Sequence, residues 1–178
     1  MTRPCELSAT EARKLIGNKQ LSPVELTKSC IEQIENINPS INAVVAINND
    51  EVLKEAQKAE DDVMSGSELG LLHGLPVGIK DLNLVKNLRS TSGSKIYENR
   101  IPENDDSVVA DIREEGGIIF CKTNTPEFGA GANTKNKVYG TTCNPFDLTK
   151  TPAGSSGGSA AALATNMMPL ANGSDYGG

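Results

Sequence analysis

The stretch Thr151-Pro-Ala-Gly-Ser-Ser-Gly-Gly-Ser-Ala-Ala-Ala-Leu-Ala-Thr-Asn-Met-Met-Pro-Leu-Ala-Asn-Gly-Ser-Asp-Tyr-Gly-Gly178 holds small residues where a structural segment usually carries apolar bulk. Two clusters of glycine and small polar residues, 154–159 and 172–178, flank an alanine-rich run over 160–167. Alanine favours helix, whereas glycine lets a ligand approach the backbone closely. The stretch therefore predicts a short helix between two loops, and a polar site built from hydroxyls and backbone N–H groups.

Composition and charge exclude several classes of protein. At 178 residues the chain is long enough for one domain with a buried core. A formal net charge of -6 argues against direct binding of nucleic acid. The chain has no run of about 18 apolar residues, so we expect no membrane span. The first residues lack the apolar segment of a signal peptide, so we expect a cytoplasmic protein.

The cysteines and the single histidine argue against a metal site. No two cysteines form a Cys-x-x-Cys pair, and their wide spacing is typical of reduced, buried thiols. With one histidine, His73, a Cys/His zinc site is not expected. We therefore expect no metal and no cofactor. The four cysteines are Cys5, Cys30, Cys121 and Cys143.

The distribution of glycine divides the chain into two regions. Gly17 is the only glycine in residues 1–64, which we expect to form a helical N-terminal region. Residues 65–178 hold the remaining glycines, and we expect them to form the first part of an α/β core. Both regions are assigned to a single domain.

Three helices are predicted in the N-terminal region. Ser8 opens a capping box, and Ser22 is followed by proline at the first helical position. We expect the second helix to stop at Asn38, because the residue before a proline avoids the α conformation. Asp50 is the expected cap of the third helix.

The second region alternates between strands and helices. Apolar runs predict strands at 77–82 and 118–121, and a further strand at 43–47 precedes this region. Asp105 or Ser107 is expected to cap a helix between the two later strands, and the paired glycines after residue 115 are expected to end it. This alternation predicts an α/β fold.

Several kinds of glycine-rich site do not fit. Neither glycine loop carries the lysine that a P-loop needs, and Thr134 stands where a dinucleotide fingerprint starting at Gly129 needs its third glycine. Ser92 and Lys95 match a pattern of penicillin-recognising enzymes, but the companion motifs are missing. A Ser-His-Asp triad would have to use His73, for which a structural role is the simpler interpretation.

The remaining chemistry is a serine activated by a neutral lysine. Serine is a poor nucleophile at neutral pH and needs a neighbouring base. Lys80 lies among apolar residues at the end of a predicted strand, and burial lowers the pKa of a lysine. The backbone amides of Gly177 and Gly178 are candidates for an oxyanion hole.

Three motifs together resemble the amidase signature family. They are Gly-Leu-Pro-Val-Gly-Ile-Lys-Asp at 74–81, Gly-Ser-Ser-Gly-Gly-Ser-Ala-Ala at 154–161 and Gly-Ser-Asp-Tyr-Gly-Gly at 173–178. The family includes aliphatic amidases, the A subunit of the glutamyl-tRNA amidotransferase and fatty-acid amide hydrolase. The resemblance extends along the whole chain and implies an α/β fold in which helices cover a mixed central sheet.

The resemblance implies a Ser–cis-Ser–Lys triad. Lys80 matches its lysine, and Ser155 matches the serine that precedes a non-proline cis peptide. The nucleophilic serine would be residue 179, beyond this sequence, so we expect the 178-residue chain alone to be inactive. The oxyanion amides match Tyr176, Gly177 and Gly178. Gly131 and Asn133 fall in the acyl-pocket region and are candidate substrate contacts.

The implied activity is hydrolysis of a small-molecule carboxylic amide to acid and amine through a serine acyl-enzyme. The acidic net charge gives no reason to expect a direct nucleic-acid partner, and self-association into a homo-oligomer stays open. One alternative is the amidotransferase component named above, which needs partner chains and glutamine. Another is a truncated, non-catalytic product. Ser156 and Ser159 also fit helix caps, an interpretation that the residues leave open.

Overall fold

The computed structural model describes residues 2–176, and a four-stranded sheet lies at its centre. The order across this sheet is β1-β3-β2-β6. β2 pairs in parallel with both β3 and β6, whereas β1 is antiparallel to β3. A mixed sheet in an α/β fold is therefore confirmed. The strands are β1 (Val44–Ala46), β2 (Pro76–Lys80), β3 (Ile118–Thr123), β4 (Lys135–Asn136), β5 (Gly140–Thr141) and β6 (Leu170–Ala171).

Helices pack on both faces of this sheet. On one face, Phe120 joins a core cluster with residues of the three N-terminal helices and of the last helix. On the other face, Val77, Ile79 and Ile119 cluster with Val109. The helices are α1 (Ala9–Gly17), α2 (Pro23–Ile41), α3 (Asn49–Ser65), α4 (Ser107–Glu114) and α5 (Gly157–Ala164). Within residues 2–176 no helix is both long enough and apolar enough to cross a lipid bilayer.

Two predicted helix starts are confirmed by their caps. Ser8 accepts a hydrogen bond from the Glu11 N–H, and the Glu11 carboxylate accepts one from the Ser8 N–H. Ser22 accepts from the amides of Val24 and Glu25 at the start of α2. Each cap depends on residues two or three positions apart, so local sequence is enough to predict it.

The predicted end of α2 at Asn38 is wrong, because the helix continues through Pro39 to Ile41. The Asn38 carbonyl accepts from the Asn42 N–H at 2.7 Å and closes a further turn. The Asn38 carboxamide also accepts from the amides of the two residues that lead into β1. These bonds stabilise the last turn although proline supplies no N–H.

The predicted caps of α3 and α4 are also wrong. Asn48, not Asp50, accepts from the Glu51 N–H, and α3 begins two residues earlier than expected. Asp106 occupies the N-cap position of α4, between the two predicted residues, and its carboxylate accepts from the Leu84 N–H instead. Side chains that can cap are frequent in both segments, so local sequence does not single out one of them.

Candidate active site

Lys80 is the last residue of β2 and lies at the edge where three parallel strands end. Because β2, β3 and β6 run in the same direction, their carboxyl ends meet at one edge of the sheet. Asn124 follows β3 there, and Asn172 follows β6. Ligand sites in open α/β sheets favour this edge.

The Lys80 side chain is buried, with the residue 1% exposed, and its Nζ contacts three hydroxyls. Its distances are 2.7 Å to Ser155 Oγ, 2.9 Å to Ser156 Oγ and 2.8 Å to Ser174 Oγ. Desolvation by burial lowers the pKa of Lys80, and the charge of Asp175 partly opposes this effect. A buried lysine with a lowered pKa has a neutral form that can accept a proton from a hydroxyl.

Close backbone packing places the loop that carries Ser155. Gly158, in the first turn of α5, lies so near Asn124 that an added Cβ would overlap the Asn124 backbone. The Thr134 hydroxyl accepts from the Gly157 N–H at 3.1 Å and donates to the Ala153 carbonyl at 2.8 Å. The loop before α5 is thus attached to the segments after β3 on both sides of Ser155.

The cis peptide bond lies between Gly154 and Ser155. Ser155 therefore follows the cis bond, and the expectation that it precedes this bond is wrong. The match of motifs locates the serine but does not show which of its two peptide bonds is cis.

The interpretation of Ser156 and Ser159 as side-chain caps is wrong. Ser156 sits at the N-cap position of α5, but its hydroxyl makes no capping bond. It accepts from the Ser174 N–H at 3.1 Å and donates to the Ser174 carbonyl at 3.2 Å. Ser159 pairs with the Thr123 hydroxyl at 2.7 Å and donates to the Asn172 carbonyl at 2.8 Å. Both serines join α5 to the segment after β6.

A cavity of about 760 Å³ opens in front of Ser155 and Ser174. The predicted contact Gly131 is part of its wall, and Tyr176, which is exposed, lies at its rim. Asn133 is exposed and does not belong to the described lining, which on this loop ends at Ala132. The apolar part of the wall consists of Leu82, Phe128, Ala130 and Ala132.

Of the three predicted oxyanion residues, the structure describes Tyr176. Gly177 and Gly178 lie outside the described residues. Tyr176 is described and lines the cavity. Among residues 2–176 no group of three or more His, Cys, Asp or Glu side chains is arranged to hold a metal ion.

A second buried lysine, Lys122, lies on the neighbouring strand. Its Nζ is 3.5 Å from Asp81 Oδ1, and both side chains are fully buried. It also donates to the Ser90 hydroxyl at 3.1 Å and to the Asn83 carbonyl. Desolvation lowers the pKa of Lys122 to about 8, although the charge of Asp81 opposes this effect. The ion pair adjoins the Lys80 site along the chain, because Asp81 directly follows Lys80.

Ser174 and Asn172 contact Lys80 and were not predicted as site residues. Ser174 Oγ reaches Lys80 Nζ, and the Asn172 carboxamide accepts from the Lys80 N–H at 2.6 Å. Both lie after β6, a strand of two residues that the sequence did not predict. Pairing of β6 with β2 is the signal that would have located them.

Comparisons with known proteins place this arrangement in a family context. The family model described as Amidase matches residues 25–178. The A subunit of a glutamyl-tRNA(Gln) amidotransferase from Clostridium botulinum (strain Alaska E43 / Type E3) is 43% identical over 170 residues, which are 96% of this chain and 35% of the relative. This chain therefore spans about a third of the length of the curated relatives that it matches.

Solved structures agree with these matches. A bacterial aryl acylamidase of the amidase signature family superposes with a TM-score of 0.86 and 34% identity, over 93% of this chain and 34% of its own. A fatty acid amide hydrolase superposes with a TM-score of 0.91 and 27% identity, over 97% of this chain and 30% of its own.

Proposed function

The chain belongs to the amidase family, and on that premise we propose that the intact protein hydrolyses carboxylic amides to acid and amine. By the intact protein we mean the longest natural polypeptide that contains this chain. The observation that carries the proposal is the 2.7 Å contact between Lys80 Nζ and the Oγ of Ser155, a residue that lines a cavity. Lysine as base and serine as relay are the groups that this chain contributes.

The proposed reaction begins with a proton relay. Neutral Lys80 accepts the proton of Ser155, and Ser155 accepts the proton of the nucleophilic serine that the family motif places at residue 179. The resulting alkoxide attacks the amide carbonyl and forms a tetrahedral intermediate. The relay then returns the proton to the leaving amine, so that the C–N bond breaks and an acyl-enzyme remains. Water hydrolyses the acyl-enzyme by the same relay.

Backbone amides of the segment 176–178 are proposed to bind the oxygen that becomes negative in the intermediate. The position of Tyr176 at the rim of the cavity supports this assignment. Donors placed in advance for an oxyanion are each worth about 10²–10³ in rate.

The proposed substrate is a small neutral amide. The wall formed by Leu82, Phe128 and Ala130 supports an apolar acyl group, because such groups bind against apolar side chains. Asp175 also lines the cavity, and its carboxylate disfavours an anionic substrate. Gly131 is proposed as a substrate contact on this wall, and Asn133 as a contact further along the same loop. All four cysteines are free thiols, which supports a cytoplasmic location for the protein.

The test is amide hydrolysis by the intact protein. Release of ammonia or amine from propionamide, benzamide and acetanilide would be measured, together with the mass of an acyl-enzyme. We expect turnover that is lost in Lys80→Ala and kept in Lys58→Ala, a matched change at an exposed lysine. Absence of hydrolysis of every amide, or full activity of Lys80→Ala, would contradict the proposal.

A second candidate is a role as the catalytic component of a tRNA-dependent amidotransferase. The 43% identity to such a protein favours it. The two candidate functions differ in whether activity requires glutamine and partner chains. An amidotransferase component would release ammonia from glutamine only with its partner chains, whereas a stand-alone amidase would hydrolyse simple amides without them.

A further inference from the structure

Asn172 stands where β6 leaves the sheet. β6 pairs with β2 through Leu170 and Ala171 only. The Asn172 N–H still donates to the Gly78 carbonyl at 2.9 Å, as a continuing strand would. After this bond the chain turns toward Lys80 and carries Ser174 to its Nζ.

The side chain of Asn172 accepts the next hydrogen bond of the β2–β6 ladder in place of a backbone carbonyl. The Lys80 N–H needs an acceptor because it is buried at the end of β2. Asn172 Oδ1 accepts this hydrogen bond at 2.6 Å. The backbone after Asn172 is therefore free to leave the sheet, and Ser174 Oγ lies 2.8 Å from Lys80 Nζ.

Neighbouring groups determine which way the Asn172 carboxamide faces. The Asp106 carboxylate accepts from Asn83 Nδ2 at 3.3 Å, which turns Asn83 Oδ1 toward Asn172. Asn172 Nδ2 donates to that oxygen at 2.9 Å. Asn172 Oδ1 then faces the Lys80 N–H, which can only donate. Donors and acceptors thus alternate without conflict from Asp106 to Lys80.

Asn83 is itself attached to Lys80 and to the buried ion pair. Its N–H donates to the Lys80 carbonyl at 3.0 Å. Its carbonyl accepts from the ammonium of Lys122, which pairs with Asp81. Asn83, which orients the Asn172 carboxamide, is therefore itself held in place by hydrogen bonds to buried residues.

We propose that Asn172 is a positioning residue that holds the Lys80 backbone and the Ser174 segment in the arrangement the proton relay needs. The effect on catalysis rests on the proposed amidase function, whereas the coupling of Asn172 to Lys80 does not. Asn172 acts through Lys80 and touches no reacting atom in this role. A misplacement of about 1 Å in such a site costs about 10²-fold in rate.

Two variants of the intact protein test this role. Asn172→Leu removes the acceptor, and we expect kcat to fall by about 10²-fold while KM changes little. Asn172→Asp keeps an oxygen that can accept from the Lys80 N–H. It loses the N–H group that donates to Asn83 Oδ1, so that two oxygens face each other there, and it adds a negative charge. That charge favours the protonated amine, so the rise of kcat/KM with pH should move to higher pH.

Asn38→Asp is the matched control. Asn38 is also half-buried and also accepts and donates through its carboxamide, but it joins α2 to β1 instead of contacting Lys80. We expect this variant to melt at a changed temperature and to keep the wild-type pH profile. If Asn172→Asp behaves like Asn38→Asp, the inference is overturned.

A titration by NMR decides the coupling without any substrate. Lysine labelled with ¹³C at Cε reports the Lys80 pKa, with the signal assigned from Lys80→Arg. We expect this pKa to be higher in Asn172→Asp than in the wild type and unchanged in Asn38→Asp. An unchanged Lys80 pKa in folded Asn172→Asp would overturn the inference. If the Lys80 pKa shifts in Asn172→Asp but the wild type hydrolyses no amide, only the amidase function is overturned.

Discussion

Lys80 Nζ and Ser155 Oγ lie 2.7 Å apart, although 75 residues separate them in the chain. β2 brings the lysine to the edge of the sheet, and the loop before α5 brings the serine. The Lys80 amine is buried and also contacts Ser156 and Ser174. One buried amine thus faces three hydroxyls, and the proposed relay assigns them different roles that can be tested.

Ser155 and Ser156 should differ in their effect on activity although both contact Lys80. In Ser155→Ala the relay loses its middle member, and we expect kcat/KM for amide hydrolysis to fall by about 10²–10⁴. In Ser156→Ala the Lys80–Ser155 contact remains, so the loss should be smaller, within about tenfold. Equal losses in the two variants, measured on the intact protein, would show that Ser155 is not the specific partner of the base.

The pH dependence of hydrolysis should reflect the lowered pKa of Lys80. Only the neutral amine accepts a proton, so kcat/KM should rise with pH as Lys80 deprotonates. Because burial lowers the pKa of Lys80, this rise should be centred below the ordinary lysine value of 10.5. A pH–rate profile of the intact protein checks the position of the rise. A profile that is centred at or above that value would contradict a neutral Lys80 as base.

Local sequence was sufficient where a few neighbouring residues decide the structure. The caps at Ser8 and Ser22 depend on amides two or three residues away, and both were predicted. The end of α2 was missed because Asn38 makes bonds to the residues leading into β1. Such bonds depend on how the chain turns after the helix, and a proline in the sequence does not reveal them.

The site was predictable only in part, from the apolar surroundings of Lys80 and from the motif resemblance. The resemblance indicated Lys80 and Ser155 as partners, and the structure brings them together. Ser174 and Asn172 were missed, because they reach Lys80 through the pairing of β6 with β2. A strand of two residues has too few side chains for an alternating pattern, so only the sheet identifies it.

Gly158 should be essential for the position of the Ser155 loop. A Cβ at this residue would overlap the Asn124 backbone, which cannot move aside as a flexible side chain can. We expect Gly158→Ala to destabilise the intact protein by about 1–3 kcal/mol and to lower kcat. Thermal unfolding and amide hydrolysis check the two effects.

Gly17→Ala is the matched control for this change. At Gly17, the last residue of α1, an added Cβ meets only the flexible Arg13 guanidinium. We expect activity to be unchanged and stability to change by no more than about 1 kcal/mol. If Gly158→Ala is as mild as Gly17→Ala, close packing at α5 does not position the loop.

Lys122 should contribute to stability through its pairing with Asp81. Lys122→Met leaves the fully buried Asp81 carboxylate without its cation, and we expect a loss of about 3–5 kcal/mol in the free energy of unfolding. Lys54→Met is the control, because the Lys54–Glu51 pair is exposed and should be worth about 0–1 kcal/mol. Similar losses in the two variants, measured by urea unfolding, would argue against a structural role of the buried pair.

The Lys122 contribution should also depend on pH. Burial lowers the pKa of Lys122 from the ordinary lysine value of 10.5 to about 8 in the folded protein, whereas a lysine in the unfolded chain keeps the ordinary value. Between these values the unfolded chain binds one more proton, so the free energy of unfolding rises with pH. Relative to Lys122→Met, the wild type should therefore become more stable from about pH 8 upward. A stability difference that stays constant over this range would contradict the lowered pKa.

The most direct test of the relay is a double-mutant cycle between Lys80 and Ser155, measured as kcat/KM for amide hydrolysis by the intact protein. Because the two residues are proposed to act as one unit, the double variant Lys80→Ala/Ser155→Ala should be no slower than the slower single variant. If the losses of the two single variants instead multiply in the double variant, Lys80 does not act through Ser155 and the proposed relay is wrong.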